Sequence, residues 1–185
     1  LIEITDTFQP IHKILGTNGP DNRLKDVEIA LRFIAIVLLG SRYQGNLKKF
    51  LDDAMELLTN DWENSKPKVE AVYKDMNIAI GNLAEVLGTN LVGRKFVNGS
   101  WESRFNRVLF EVEAFYFRLI PRTKIGGGKK KFVSGLQKLF ADPEFRSSVE
   151  STTKTNDRYE LRFRRFQKLV NESFDTKINE IPVSS

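Results

Sequence analysis

His12 is the only histidine in the 185 residues, and cysteine is absent. The chain therefore cannot assemble a zinc site from imidazole and thiolate, a His-Asn-His metallonuclease centre, or a cysteine nucleophile. His12 stands beside Pro10 and Ile11 with no evident partner. A partly buried helix histidine accounts for it better than a lone general base does. The acids are no stronger as candidates. Asp52 and Asp53 are adjacent on a helix, so their side chains diverge by about 100°. Glu111 and Glu113 likewise point apart, and all four are expected to be solvated or salt-bridged surface carboxylates. No catalytic residue, metal ligand or cofactor is expected.

Two segments carry concentrated positive charge. Ile125-Gly126-Gly127-Gly128-Lys129-Lys130-Lys131-Phe132 has the look of a phosphate-binding loop. A Walker loop needs Gly, four residues, then Gly-Lys and a hydroxyl residue. Thr123 stands where the first Gly belongs and Lys130 where the hydroxyl belongs, so the pattern fails at both ends. What remains is a mobile basic loop over 122–131, with five cations and no acid, leading into a helix N-terminus that favours anions. Lys129, Lys130 and Lys131 are the candidate polyanion contacts there. In the last helix, Arg158, Arg162 and Arg165 recur at steps of four and three, and Arg164 and Lys168 form a second row. Such a strip suits nucleic-acid phosphates. It equally suits acids on neighbouring helices, and both readings stand at this point.

The elements that must position these residues are helical. A short helix over Phe8–Leu15 closes at Gly16, followed by a turn-rich loop to Asn22. From Leu24, apolar residues at three- and four-residue spacing, with a second stripe at Ile29, Phe33 and Ile36, mark the central helix of the domain. Asn46 is placed to cap the next helix, whose inward face reads Leu47, Phe50, Leu51, Ala54, Leu57 and Leu58. A polar connection over Thr59–Pro67 precedes a long helix to Leu87, with Gly88 as a left-handed cap. Residues 88–100 are irregular, either a short strand or a partly open loop. Ser103 precedes a helix to Pro121, a short helix covers 132–140, Asp142-Pro143 opens another, and Thr155 or Asn156 opens the last. Residues 182–185 form a tail.

This pattern predicts one all-α domain over 1–185, an irregular bundle of about six to eight helices. With 41% hydrophobic residues the chain can bury a substantial core, and fourteen Phe serve as its filler. The net charge of +5 permits contact with a polyanion without demanding it. No run is long and apolar enough for a membrane span, and the lack of cysteine fits a reducing, cytoplasmic setting. The N-terminus reads as that of a piece from a longer protein.

Four stretches carry a resemblance. Arg23-Leu24-Lys25-Asp26-Val27-Glu28-Ile29-Ala30-Leu31-Arg32-Phe33 is followed by Tyr43-Gln44-Gly45-Asn46-Leu47-Lys48-Lys49-Phe50-Leu51. Then come Phe105-Asn106-Arg107-Val108-Leu109-Phe110-Glu111 and Ser151-Thr152-Thr153-Lys154-Thr155 ahead of Arg162-Phe163. In this order they resemble the helical C-terminal region of the bacterial domain-of-unknown-function 262 family, which is similar to modification-dependent restriction systems. The resemblance implies a non-catalytic helical module of a restriction or phage-defence protein. That module would dock on an N-terminal nucleotide-hydrolysing domain of the same protein, whose Asp-Gly-Gln-Gln-Arg motif is absent here, and would contact DNA. It singles out Arg23, Lys25, Asp26, Glu28 and Arg32, Tyr43 and Asn46, and Asn106 with Glu111. The alternative is a protein-interaction scaffold with no nucleic-acid role, in which these residues only lock helices together.

Overall fold

The computed structural model describes residues 1–151 and 155–183. Thr152–Lys154 of the fourth stretch that carries the resemblance and the last two tail residues lie outside them. Nine α-helices and one hairpin appear among the described residues: α1 (Ile2–Asp6), α2 (Gln9–Leu15), α3 (Lys25–Leu39), α4 (Leu47–Asn60), α5 (Trp62–Leu87), β1 (Arg94–Val97), β2 (Ser100–Phe105), α6 (Arg107–Phe117), α7 (Arg122–Ala141), α8 (Pro143–Glu150) and α9 (Asn156–Phe174). The all-α multi-helix class predicted from periodicity is the class the chain adopts. No described helix is long and apolar enough to cross a membrane.

Local chemistry sets the boundaries. The Asn46 side chain accepts the Lys49 N–H at 3.1 Å, Asn106 accepts that of Leu109 at 2.9 Å, and Asp142 accepts that of Glu144 at 2.9 Å. Each cap satisfies a donor that the helix leaves unpaired. Gly16 closes α2 at φ +71°, a left-handed position where a side chain is disfavoured. Gly88 also has positive φ, but its ψ of 142° makes it an extended exit and not the left-handed cap expected. The hairpin turns at Asn98 (φ +52°) and Gly99 (φ +80°), the Asn-Gly pair that matches strand twist. It occupies part of the irregular stretch, so α6 begins at Arg107 behind Asn106, later than Ser103 suggested.

Three further expectations are corrected. The polar connection before α5 shrinks to Asp61, and the helix runs through Pro67. That proline forfeits one helical hydrogen bond near the start of the helix, and its ring lies on the exposed side. Leu57, expected inward, is exposed. Ile181–Val183 is no free tail: Pro182 is buried against Gly40, and the Asn171 side chain holds Ile178 through its backbone N–H and carbonyl, both at 2.9 Å.

The central position expected for α3 belongs to α6. Nine consecutive residues, Leu109–Phe117, are buried there, whereas Val27, Leu31, Val37 and Leu38 of α3 stay half-buried. Around α6 the phenylalanines interlock edge-on: Phe117 with Phe132 at 5.0 Å and Phe115 with Phe163 at 5.4 Å.

The largest correction is α7. Residues 122–131 are not a loop; they form the first half of one continuous helix. Ile125, Gly128, Phe132, Leu136 and Phe140 are buried at steps of three and four, so the inward stripe passes straight through the glycines. Gly128 faces α9 at close range: a Cβ there would meet the Phe174 ring and stand 2.6 Å from the Ser173 carbonyl oxygen. Gly126 and Gly127 face open space.

This contrast predicts opposite effects on urea-unfolding stability. Gly128→Ala overpacks the α7–α9 contact and is expected to cost roughly 1–3 kcal/mol. Gly127→Ala improves helix propensity on an open face and is expected to add up to about 1 kcal/mol. Equal effects at the two positions would contradict the close contact.

Candidate functional site

Glu28, Arg32 and Glu111, three of the residues singled out by the resemblance, meet Arg107 and Arg162 in a charge network among α3, α6 and α9. The Arg32 guanidinium on α3 donates to Glu111 Oε1 at 2.7 Å and, through Nε, to Glu28 Oε1 at 2.9 Å. Arg162 on α9 faces the other Glu111 oxygen at 3.9 Å. Arg107, the first residue of α6, donates to Glu28 from the surface side. Glu111 and Arg162 are almost fully enclosed, so Glu111 is not the surface acid expected, and Arg162 does not belong to an exposed strip. Above this network Tyr43 stacks on Tyr159 at 4.4 Å, with the Arg162 guanidinium 4.8 Å from the Tyr159 ring centre. Asn106 adds a tie from its side-chain amide to the Val149 carbonyl at 2.9 Å.

Electrostatics decide which charges persist. Burial pushes the Arg32 guanidinium down, but Glu111 and Glu28 outweigh it and the net shift is upward. For Arg162 burial dominates over Glu111, and its net shift is downward. Burial, reinforced by the Glu111 charge, holds the Tyr159 phenol far above its ordinary range, so its hydroxyl keeps its proton. A buried cation, Arg162, and a half-buried one, Arg32, thus share one buried carboxylate, an arrangement that joins helices and offers no reactive pair.

The remaining signature residues stand apart. Asp26 is buried and its Oδ2 lies 3.1 Å from His12 Nε2, while also accepting the Asp21 N–H at 3.1 Å. His12 is therefore fully enclosed and has a partner fourteen residues away that no local spacing announced. Arg23 and Lys25 are exposed; Lys25 reaches Asp21 at 3.8 Å. Asn46 acts as a helix cap.

The two basic surfaces differ in kind. On α9, Arg164 pairs with Glu160 at 2.5 Å, Arg165 with Glu144 at 3.5 Å and Asp142 at 3.8 Å, and Lys168 approaches Glu172 at 3.9 Å. Arg158 is half-buried on the same helix. Acids on α8 and α9 thus neutralise most of that strip. On α7, Arg122 pairs with Glu85 and Lys124 with Asp175, but Lys129, Lys130, Lys131 and Lys138 are exposed and have no acid partner among the described residues. At 100° per residue, Lys130, Lys131, Ser134 and Lys138 lie opposite the buried stripe, whereas Lys129 lies on the stripe's own side.

Sequence reasoning missed a third buried carboxylate. Glu113 is fully enclosed, its Oε2 accepts the Gly93 N–H at 2.8 Å, and Oε1 has no partner among the described residues. Neighbouring Arg94 donates to the Val92 and Ile14 carbonyls, each at 3.1 Å, and lies over the Phe105 ring. The hairpin is thereby pinned to α2 and α6. Among the described residues no three His, Asp or Glu side chains cluster as metal ligands would. No protein-family model, curated protein or solved structure matches the chain.

Burial pushes the Glu113 carboxyl up to about 8, with the Gly93 hydrogen bond and the Arg94 charge pulling the other way. The native state holds this proton while the unfolded chain releases it near 4.5. The native state therefore binds more protons between those limits, and stability falls as pH rises through the window. Glu113→Gln, which keeps a neutral side chain, is expected to flatten that slope in urea titrations. It should also exceed the parent's stability in alkaline buffer. An unchanged slope would contradict the enclosed carboxyl.

Proposed function

We propose that this chain is a non-catalytic helical module that grips the phosphate backbone of DNA through the exposed crest of α7. The observation that carries this reading is the run of lysines, Lys129, Lys130, Lys131 and Lys138, without acid partners among the described residues. From Lys130 to Lys138 the helix rises about 12 Å, a length over which one DNA strand presents about three phosphates. A packed helix fixes these ammonium groups in register, which a loop would not.

The resemblance to the domain-of-unknown-function 262 family adds the setting: a cytoplasmic restriction or phage-defence protein in which this module docks on a nucleotide-hydrolysing domain. Docking is supported by an apolar groove of about 230 Å³ lined by Leu1, Leu31, Ile34, Met55, Leu58 and Trp62. Met55 and Trp62 are exposed in it. The same groove favours the alternative, an interaction scaffold without nucleic acid, if the lysines only solubilise.

Fluorescence polarisation with duplex DNA over a salt series separates the two readings. Affinity is expected to fall as salt rises, and Lys130→Glu/Lys131→Glu/Lys138→Glu is expected to lower the log–log slope by roughly three, about 0.9 per phosphate contact. Arg164→Ala is expected to change it little. No binding at low salt would leave the scaffold reading.

A further inference from the structure

We propose that the polar groove between β2, the first turns of α4 and α6, and the end of α8 is an anion site that takes a phosphate monoester group. The groove measures about 650 Å³ and is lined by the cations Arg32, Lys95, Arg104 and Arg107 against the carboxylates Glu102 and Glu150. Both carboxylates are already claimed by Lys95, at 3.2 and 2.7 Å. Arg104 is exposed at the mouth and has no acid partner among the described residues. Arg107 beside it is engaged only at the half-exposed Glu28.

Two helix starts open onto the same groove. Leu47 is the first residue of α4, and Arg107 and Val108 are the first two of α6. Their caps, Asn46 and Asn106, accept the third N–H of each helix, so the first two N–H groups have no partner within the helix. Two helix N-termini beside arginine forks suit the several oxygens of a phosphate.

The second observation lies behind the groove. Arg32, Leu47 and Val108 also line an inner recess with Tyr43, Glu111 and Tyr159, holding about 10 Å³ of free space. That is room for about one water or one ligand oxygen. Tyr159 lines this recess, and its enclosed hydroxyl bonds no described residue. A buried hydroxyl without a partner is costly unless something reaches it. The ligand's phosphate sits at the helix starts, with one oxygen or one bridging water meeting Tyr159.

Isothermal titration of the full chain at constant ionic strength tests this with three probes: inorganic phosphate, a nucleoside 5′-monophosphate, and a short single strand carrying either a 5′-phosphate or a 5′-hydroxyl. Saturable one-to-one binding is expected. Arg104→Ala and Arg107→Ala are each expected to weaken it about tenfold, as for one lost charge-assisted hydrogen bond. Tyr159→Phe, which removes a hydroxyl that bonds no described residue and so preserves the fold, is expected to weaken it as well. Tighter binding of the mononucleotide identifies a free phosphorylated metabolite as the source, and tighter binding of the 5′-phosphorylated strand identifies nucleic-acid ends. Absence of saturable binding to every probe, or affinity unchanged in all three variants, overturns the site. The α7 lysine variants leave phosphate affinity untouched, so failure here and failure of DNA binding on α7 are separate results.

Discussion

Glu111 enclosed between Arg32 and Arg162 is the constraint on which the packing of this domain depends. Each member comes from a different helix, and α6, which contributes the acid, is buried along its whole central stretch. Removing ions from water is expensive, and only close, well-bonded geometry offsets the cost. Helices α3, α6 and α9 must therefore stand in one register, because sliding any of them would strand a buried charge. Glu28 and Arg107 extend the network to the surface, and the Tyr43–Tyr159 stack covers it. Purely apolar contacts would permit several registers; the ionic contact permits one.

The same register sets what the surface displays. With α9 held against α6, α7 packs on α9 through Gly128, and the side of α7 away from that contact carries the lysines. On α9, Arg162 is buried with Glu111 while Arg164 and Arg165 are matched by acids of α8 and α9, so of its arginines only the half-buried Arg158 lacks an acid partner among the described residues. The division between a locking helix and a charge-bearing helix is a consequence of packing, and composition alone does not distinguish them.

Where burial follows periodicity, the sequence was readable. The inward faces of α5 (Val69, Val72, Tyr73, Met76, Ala79, Ile80 and Leu83) are all buried as their spacing implied, and the Asn46 and Asp142 caps do what those residue types do at helix starts. Helix α7 was hidden because three glycines and their lysines outweigh, in composition, a stripe that Ile125, Gly128 and Phe132 still carry. The hairpin had a signal in Asn98-Gly99, too short to stand out among helices. The ionic partners had none: Arg32 and Glu111 are 79 residues apart, and His12 and Asp26 meet only after two helices pack. An acid on a helix looks the same in sequence whether it meets solvent or two arginines.

A double-mutant cycle on Arg32→Ala and Glu111→Ala, read by urea unfolding, tests the central constraint most directly. A directly bonded pair with its carboxylate buried predicts single losses of roughly 2–4 kcal/mol and a coupling energy of about 1–3 kcal/mol. Losses that add within about 0.5 kcal/mol would mean the two residues act independently. The register of α3 on α6 would then have to come from elsewhere.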